Sequence, residues 1–176
     1  MKQDFTGQRV VVVGAGLSGR ALVRYLHARG ATVALSDRRP AGQIAGLEEL
    51  AELPVRLNLG GHDQELFEQA DLVAVSPGVP LTIEPLKLAA SLRIPLLGEV
   101  EIAAAEIEAP IVAVTGTNGK TTVANMLMTL LATPPRTAAV IGTVSANLGN
   151  AVTSPRTTPE SSDVTARREC DWLITR

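Results

Sequence analysis

Aromatic side chains make up only 2% of the sequence, so the stacking surfaces that hold single-stranded nucleic acid are scarce. Nor is one charge in excess: 16 Lys and Arg face 18 Asp and Glu, giving −2, where a duplex binder shows a basic face or stripe. Nucleic acid is therefore not expected as a partner. Cys170 is the single cysteine, which excludes an intrachain disulfide and a cysteine cluster for zinc or iron–sulfur ligation, and fits a reducing compartment. No apolar run reaches the roughly 20 residues of a membrane helix. The opening MKQDFTGQRVVVVGAG has too short an apolar stretch for a signal peptide. These absences lead to the expectation of a cytoplasmic protein that does not enter membranes.

What is present is a globular composition, 45% hydrophobic and 19% charged, arranged as short β-branched runs alternating with helical patterns. RVVVV (9–13), TVALSD (32–37), VRLNLG (55–60), DLVAVS (71–76) and IPLLG (94–98) read as strands. Residues 17–30, 63–70 and 83–93 read as helices between them, the first closed by Gly30. This alternation implies right-handed crossovers and a parallel sheet covered by helices, an α/β fold. An alanine-rich segment, 98–110, is expected to be one helix that breaks at Pro110. A second α/β unit then starts, with strand 111–115, helix 119–132 and strands 137–142 and 171–176. Residues 143–169 carry little periodicity and read as loop with at most one helical turn. The expected domains are 1–108 and 109–176.

Two glycine motifs carry the chemistry. Gly14, Gly16 and Gly19 form G-x-G-x-x-G between the first strand and the first helix, where glycines permit a tight turn and the helix N-terminus offers unpaired N–H groups to an anion. Asp37 ends the next strand, where a carboxylate can accept from ribose hydroxyls. That motif points to a nucleotide-type ligand without naming it, and a turn needed only for packing is the alternative. The second motif, GTNGKTT, lacks the first glycine of the standard P-loop, whose place is held by Val114. Its chemistry survives: backbone N–H groups from Thr117 to Thr121 can curl around an anion, Lys120 can reach β/γ oxygens, and the Thr121 hydroxyl can ligate Mg²⁺. The strand before it and the helix after it are the context that such a loop requires.

The two loops in this order, joined by DLVAVSPGVP and GEVEIAAAEIEAPIVAVTGTNGKTT, resemble the Mur ligase family, ATP-dependent enzymes that add amino acids to the peptidoglycan precursor. The resemblance runs from residue 9 to about residue 150 and is greatest for the member that joins D-glutamate to UDP-N-acetylmuramoyl-L-alanine. It implies a Rossmann-like first domain that holds the uridine diphosphate, followed by the first part of a P-loop central domain that holds ATP and Mg²⁺. In that reading Gly14, Gly16 and Gly19 shape the loop and Leu17 and Ser18 lie near pyrophosphate. Asp37 with Arg38 or Arg39 contacts the uracil and ribose side, while Ser76 and Gly78 of SPGVP line the pocket. Gly116, Thr117, Asn118, Gly119, Lys120, Thr121 and Thr122 hold ATP, with Lys120 and Thr121 catalytic and Thr121 on the metal. SANLGN resembles a family loop that brings Asn147 to the substrate, with Ser145 and Ala146 in place of its glycines.

The resemblance also implies groups that this sequence does not carry after Thr175: the family's metal-binding glutamate, its central-domain histidine and modified lysine, and a C-terminal domain. The chain alone is therefore expected to have little ligase activity. SPRTTPESSDV (154–164) looks more like the sister ligase that adds the third stem residue. Two other readings stay open, an NAD(P)-binding oxidoreductase domain and a module that captures UDP-sugar without converting it. His27 and His62 are expected to be surface or loop residues, because neither has a neighbour in sequence that would orient it, and Cys170 is read as incidental.

Overall fold

The computed structural model describes residues 4–114, 118–131, 138–141, 146–147, 152–153 and 172–175. They form two compact units, one reaching to Ile102 and the other running from Ala103.

The first unit is built on β1 (Arg9–Val13), whose four valines are all buried. Successive side chains on a strand face opposite ways, so Val10 and Val12 enter one apolar cluster and Val11 and Val13 the other. That two-sided burial is what a central parallel strand needs. Around it the sheet runs β3 (Arg56–Leu59), β2 (Thr32–Asp37), β1, β4 (Leu72–Val75), β5 (Leu96–Gly98), with every pair parallel. The chain steps outward from β1 through β2 to β3, then returns to the other side of β1 as β4. This reversal opens a crevice at the carboxyl ends of β1 and β4, the place where ligands bind in open α/β sheets.

On one face lies α1 (Leu17–Ala28), which buries Leu22, Val23 and Leu26 against the β1 valines. It stops where Gly30 takes φ +82 and the Ala31 N–H returns to the Leu26 carbonyl. On the other face α2 (Gln64–Glu68) is capped by Asp63, which accepts from the Glu65 N–H, and α3 (Glu84–Ser91) starts with Pro85 in its first turn. Phe67, Leu86 and Ala89 are fully buried there. Two short 3₁₀ turns, Ala41–Gln43 and Leu47–Leu50, fill the connection from β2 to β3.

The helix expected over 98–110 is shorter. It spans Glu99–Ala104 (α4), then tightens into i→i−3 bonds from Glu106 to Ala103 and from Ile107 to Ala104. Alanines favour a helix but bury little, and Ile102 is the one buried apolar side chain of α4, so packing does not extend it.

In the second unit β6 (Ile111–Ala113) leads to α5 (Lys120–Leu131), where Ala124 is buried among Val112, Val114, Leu127, Met128 and Leu131. Its sheet runs β6, β10 (Trp172–Thr175), β7 (Ala138–Ile141), β8 (Ala146–Asn147), β9 (Val152–Thr153), with β10 parallel to both neighbours. β8 and β9 are antiparallel and fall where loop was expected, since two-residue strands leave no periodicity to read.

Candidate functional site

The crevice of the first unit is shaped by its glycines. Gly14 takes φ +97, and a Cβ there would lie 2.9 Å from Val79 Cγ2 and 3.1 Å from Ser76 Cβ. Gly19 is tighter still: α1 packs so closely on the loop that an added Cβ would overlap the Gly14 carbonyl oxygen. Gly16, by contrast, has open space around it. The loop is clamped from both sides, as the Gly14 N–H donates to the Ser36 carbonyl (2.8 Å) and the buried Ser76 hydroxyl donates to the Gly14 carbonyl (3.0 Å). Ser76, Pro77 and Gly78 follow β4, so SPGVP forms the opposite lip, with Gly78 exposed at φ +85.

The N-terminus of α1 opens on this crevice. Gly16 caps it in extended geometry, no side chain accepts from its first amides, and its first turn holds no acid. An α-helix start so arranged carries unsatisfied N–H groups and partial positive charge, the properties that hold phosphate. Leu17 is half-exposed beside it and Ser18 half-buried. The Glu99 carboxyl at the start of α4 lies near the Ser18 hydroxyl, and burial pushes that carboxyl above its ordinary range against the opposing effect of Ser18.

At the end of β2, Asp37 is buried and fully engaged. Its Oδ2 accepts from the Ala15 N–H (2.7 Å) and Arg39 Nη2 (2.8 Å), and its Oδ1 from the Arg39 N–H (2.9 Å) and Nε (3.0 Å). Burial alone would raise its pKa, but the bonds from Arg39 and Ala15 outweigh it and bring the group down to about 2. With two donors on each oxygen the carboxylate has little capacity left for ribose hydroxyls. Asp37 instead ties the glycine loop to Arg39, whose side chain is 42% exposed, and Arg38 is exposed beside it.

Three residues here escaped the sequence reading. Arg20 donates to the carbonyls of Ala15 (3.3 Å) and Ala45 (2.9 Å) and to Glu49, fastening the 45–49 segment to the glycine loop. Glu99 reaches Ser18 from far along the chain. His62 was expected to lack an orienting group, yet its Nδ1 lies 2.8 Å from the buried Ser36 hydroxyl and its ring meets the Phe67 ring edge-on. None of these partners adjoins the residue in sequence, so only the fold reveals them. His27 borders a cleft of about 420 Å³ with Arg24, Glu48, Glu49 and Glu52 along the second half of α1, away from the glycine loop.

In the second unit Gly119 takes φ +77; among the described residues other than its chain neighbours, no atom comes within 4 Å of where a Cβ would stand, and α5 starts at the next residue. No acid lies in the first turn of α5. Asn118 and Thr122 are exposed and Lys120 partly buried. Asn147 lies in β8, paired through its backbone with Val140. Gly116, Thr117, Cys170 and the 154–164 segment lie outside the described residues. Among the described residues no cluster of His, Cys, Asp or Glu is placed to hold a metal, and no helix is long and apolar enough to cross a membrane.

Comparison with known proteins gives matches along most of the chain. A family model for the Mur ligase MurD-like N-terminal domain matches residues 8–98, and one for the Mur ligase middle domain matches residues 114–169. The UDP-N-acetylmuramoylalanine--D-glutamate ligase of Syntrophotalea carbinolica is 43% identical over 171 residues, 97% of this chain and 35% of that protein. That of Pelotomaculum thermopropionicum is 48% identical over 128 residues, 72% of this chain and 28% of the relative. The chain thus spans about a third of the length of these curated relatives. Among solved structures, a pseudomurein peptide ligase type C from Methanothermus fervidus superposes with a TM-score of 0.52 at 24% identity, over 96% of this chain and 32% of that one. That likeness bears on the fold.

Proposed function

The chain belongs to the Mur ligase family, and from that premise we propose that it supplies the nucleotide-sugar and ATP-binding parts of a ligase that joins D-glutamate to UDP-N-acetylmuramoyl-L-alanine. Residues 1–108 serve as the UDP-substrate domain and 109–176 as the first part of the ATP domain. The observation that carries this reading is the open N-terminus of α1 at the β1–β4 crevice, with neither a capping side chain nor an acid in its first turn. The pyrophosphate lies on the amides of Leu17, Ser18 and Gly19, and Gly14 and Gly16 allow it to approach the backbone. Arg39, held by Asp37, and Arg38 face the uridine, while Ser76 fixes the loop and Gly78 edges the pocket. The filled carboxylate of Asp37 favours this assignment over NAD(P), whose ribose relies on a free acceptor at that position.

In the second unit the triphosphate lies along 116–122. Gly119, with its left-handed backbone, lets the phosphates approach α5, and Lys120 neutralises charge on the transferred group. Thr121 would ligate Mg²⁺ through its hydroxyl, and the metal would screen the phosphate charges; the absence of an acid from the first turn of α5 supports an anion there. Asn147 serves the substrate. In the reaction, a carboxylate oxygen of the alanine attacks the γ-phosphorus and ADP leaves, giving an acyl phosphate. The D-glutamate amine then attacks the acyl carbon, losing a proton as the amide forms and phosphate departs. The setting of that reaction is the cytoplasm.

A thermal-shift panel tests the reading. UDP-N-acetylmuramoyl-L-alanine and MgATP should each raise the melting temperature, Lys120→Ala should remove only the MgATP response, and NADH should do nothing. Stabilisation by NADH and not by the UDP compound would overturn it.

A further inference from the structure

The protonation state of His62 follows from a chain of hydrogen bonds that begins at a backbone amide. The Asp63 N–H can only donate, and it points at Asn58 Oδ1 (3.1 Å), which fixes that atom as the amide oxygen. Ser36 Oγ lies 2.9 Å from the same oxygen, so the serine proton must lie between them; otherwise two lone pairs would face each other. Having given its single proton to Asn58, Ser36 can only accept from His62, 2.8 Å away. The neutral imidazole is thereby held as the Nδ1–H tautomer, and Nε2 carries a lone pair. Burial keeps His62 below its ordinary pKa, so this neutral form prevails near neutral pH. Among the described residues Nε2 has no hydrogen-bond partner, and it is not sealed in the interior.

The surroundings say what this acceptor meets. The Gly60 and Gly61 N–H groups donate to the Asp37 carbonyl, and Gly60 lies 2.9 Å from the Arg39 carbonyl as well, so the 60–63 turn rests on the end of β2. Here the side chains of Arg38 and Arg39 offer only donors, and the four acceptor positions of Asp37 are taken. Uracil presents two carbonyl oxygens and, between them, one N3–H donor. The arginines match the oxygens; the donor needs an acceptor, and Nε2 is one.

We propose that His62 is a specificity-determining residue whose Nε2 accepts the N3–H of a uracil base, selecting uridine over cytidine nucleotides. Cytosine carries a lone pair at N3, which would confront that of Nε2. The proposal rests on the nucleotide-sugar reading above.

Calorimetric titration of the 176-residue chain with UDP and with CDP tests it. The native chain should prefer UDP by about tenfold or more, the scale of one buried hydrogen bond set against an unpaired one. Asparagine reproduces the Nδ1 donor but not the Nε2 acceptor, so His62→Asn should bring the two affinities together. Glutamine can place an oxygen near Nε2, so His62→Gln should keep the preference. Equal affinities in the native chain, or an Asn variant that weakens both nucleotides alike, would overturn the role of His62 while leaving the site reading intact. Failure of both nucleotides to bind would overturn both.

Discussion

A Cβ placed on Gly19 would stand 1.7 Å from the carbonyl oxygen of Gly14, well inside any permitted contact, and 2.9 Å from Ser76 Oγ. The glycine loop and the first turn of α1 are thus in direct backbone contact. Gly19→Ala must part them, at a cost of roughly 3 kcal/mol or more, and UDP binding should be lost with the loop geometry. Gly16 has nothing within 4 Å and an ordinary φ of −72, so Gly16→Ala should fold and melt nearly as the native chain. Denaturant unfolding of the two variants checks the contrast; equal destabilisation would count against it.

Acid should weaken the first unit through Asp37. Its pKa falls from an ordinary 3.8 to about 2 in the folded chain, so its contribution is complete above the unfolded value. It is lost as pH drops from about 4 toward about 2, and amounts to roughly 2 kcal/mol. Asp37→Asn should be less stable at neutral pH and show a flatter acid limb. Urea midpoints over that pH range measure it, and parallel curves for the two proteins would contradict the assignment.

Glu99 should oppose the ligand. Burial raises its pKa, so the folded state favours the protonated carboxyl and is penalised as pH rises through that raised value. A pyrophosphate beside Ser18 would raise it further, so UDP binding should take up a proton and weaken with increasing pH. Glu99→Gln should bind UDP several-fold more tightly, with little pH dependence. Calorimetry in buffers of differing ionisation enthalpy reads the proton count directly.

Leu26 joins α1 to the valines of β1 with no exposed surface. Leu26→Ala should cost about 2–5 kcal/mol, whereas Leu17→Ala, at a half-exposed position, should cost little. Chemical denaturation followed by circular dichroism separates them.

The sheet of the first unit was legible because consecutive valines bounded by glycine admit few arrangements except a strand buried on both faces. The glycine spacing likewise marked the tight turn after β1, where Gly14 and Gly19 answer steric demands visible in the structure and Gly16 does not. What could not be read were the long-range polar ties. Ser36 with His62, Arg20 with Ala45 and Glu99 with Ser18 are created by the crossovers that bring distant segments to one end of the sheet. The alanine-rich run misled because helix propensity without apolar burial does not carry a helix past Ala104.

In the second sheet, Trp172–Thr175 is inserted between Ile111–Ala113 and Ala138–Ile141. A ribosome makes the flanking strands well before the one that joins them, and among the described residues Ile111–Ala113 has no other strand partner. During synthesis those edges must wait, unpaired, while every strand of the first unit is already available. Amides of Leu72–Val75 should accordingly be protected from deuterium exchange in shorter ribosome-bound nascent chains than those of Ile111–Ala113.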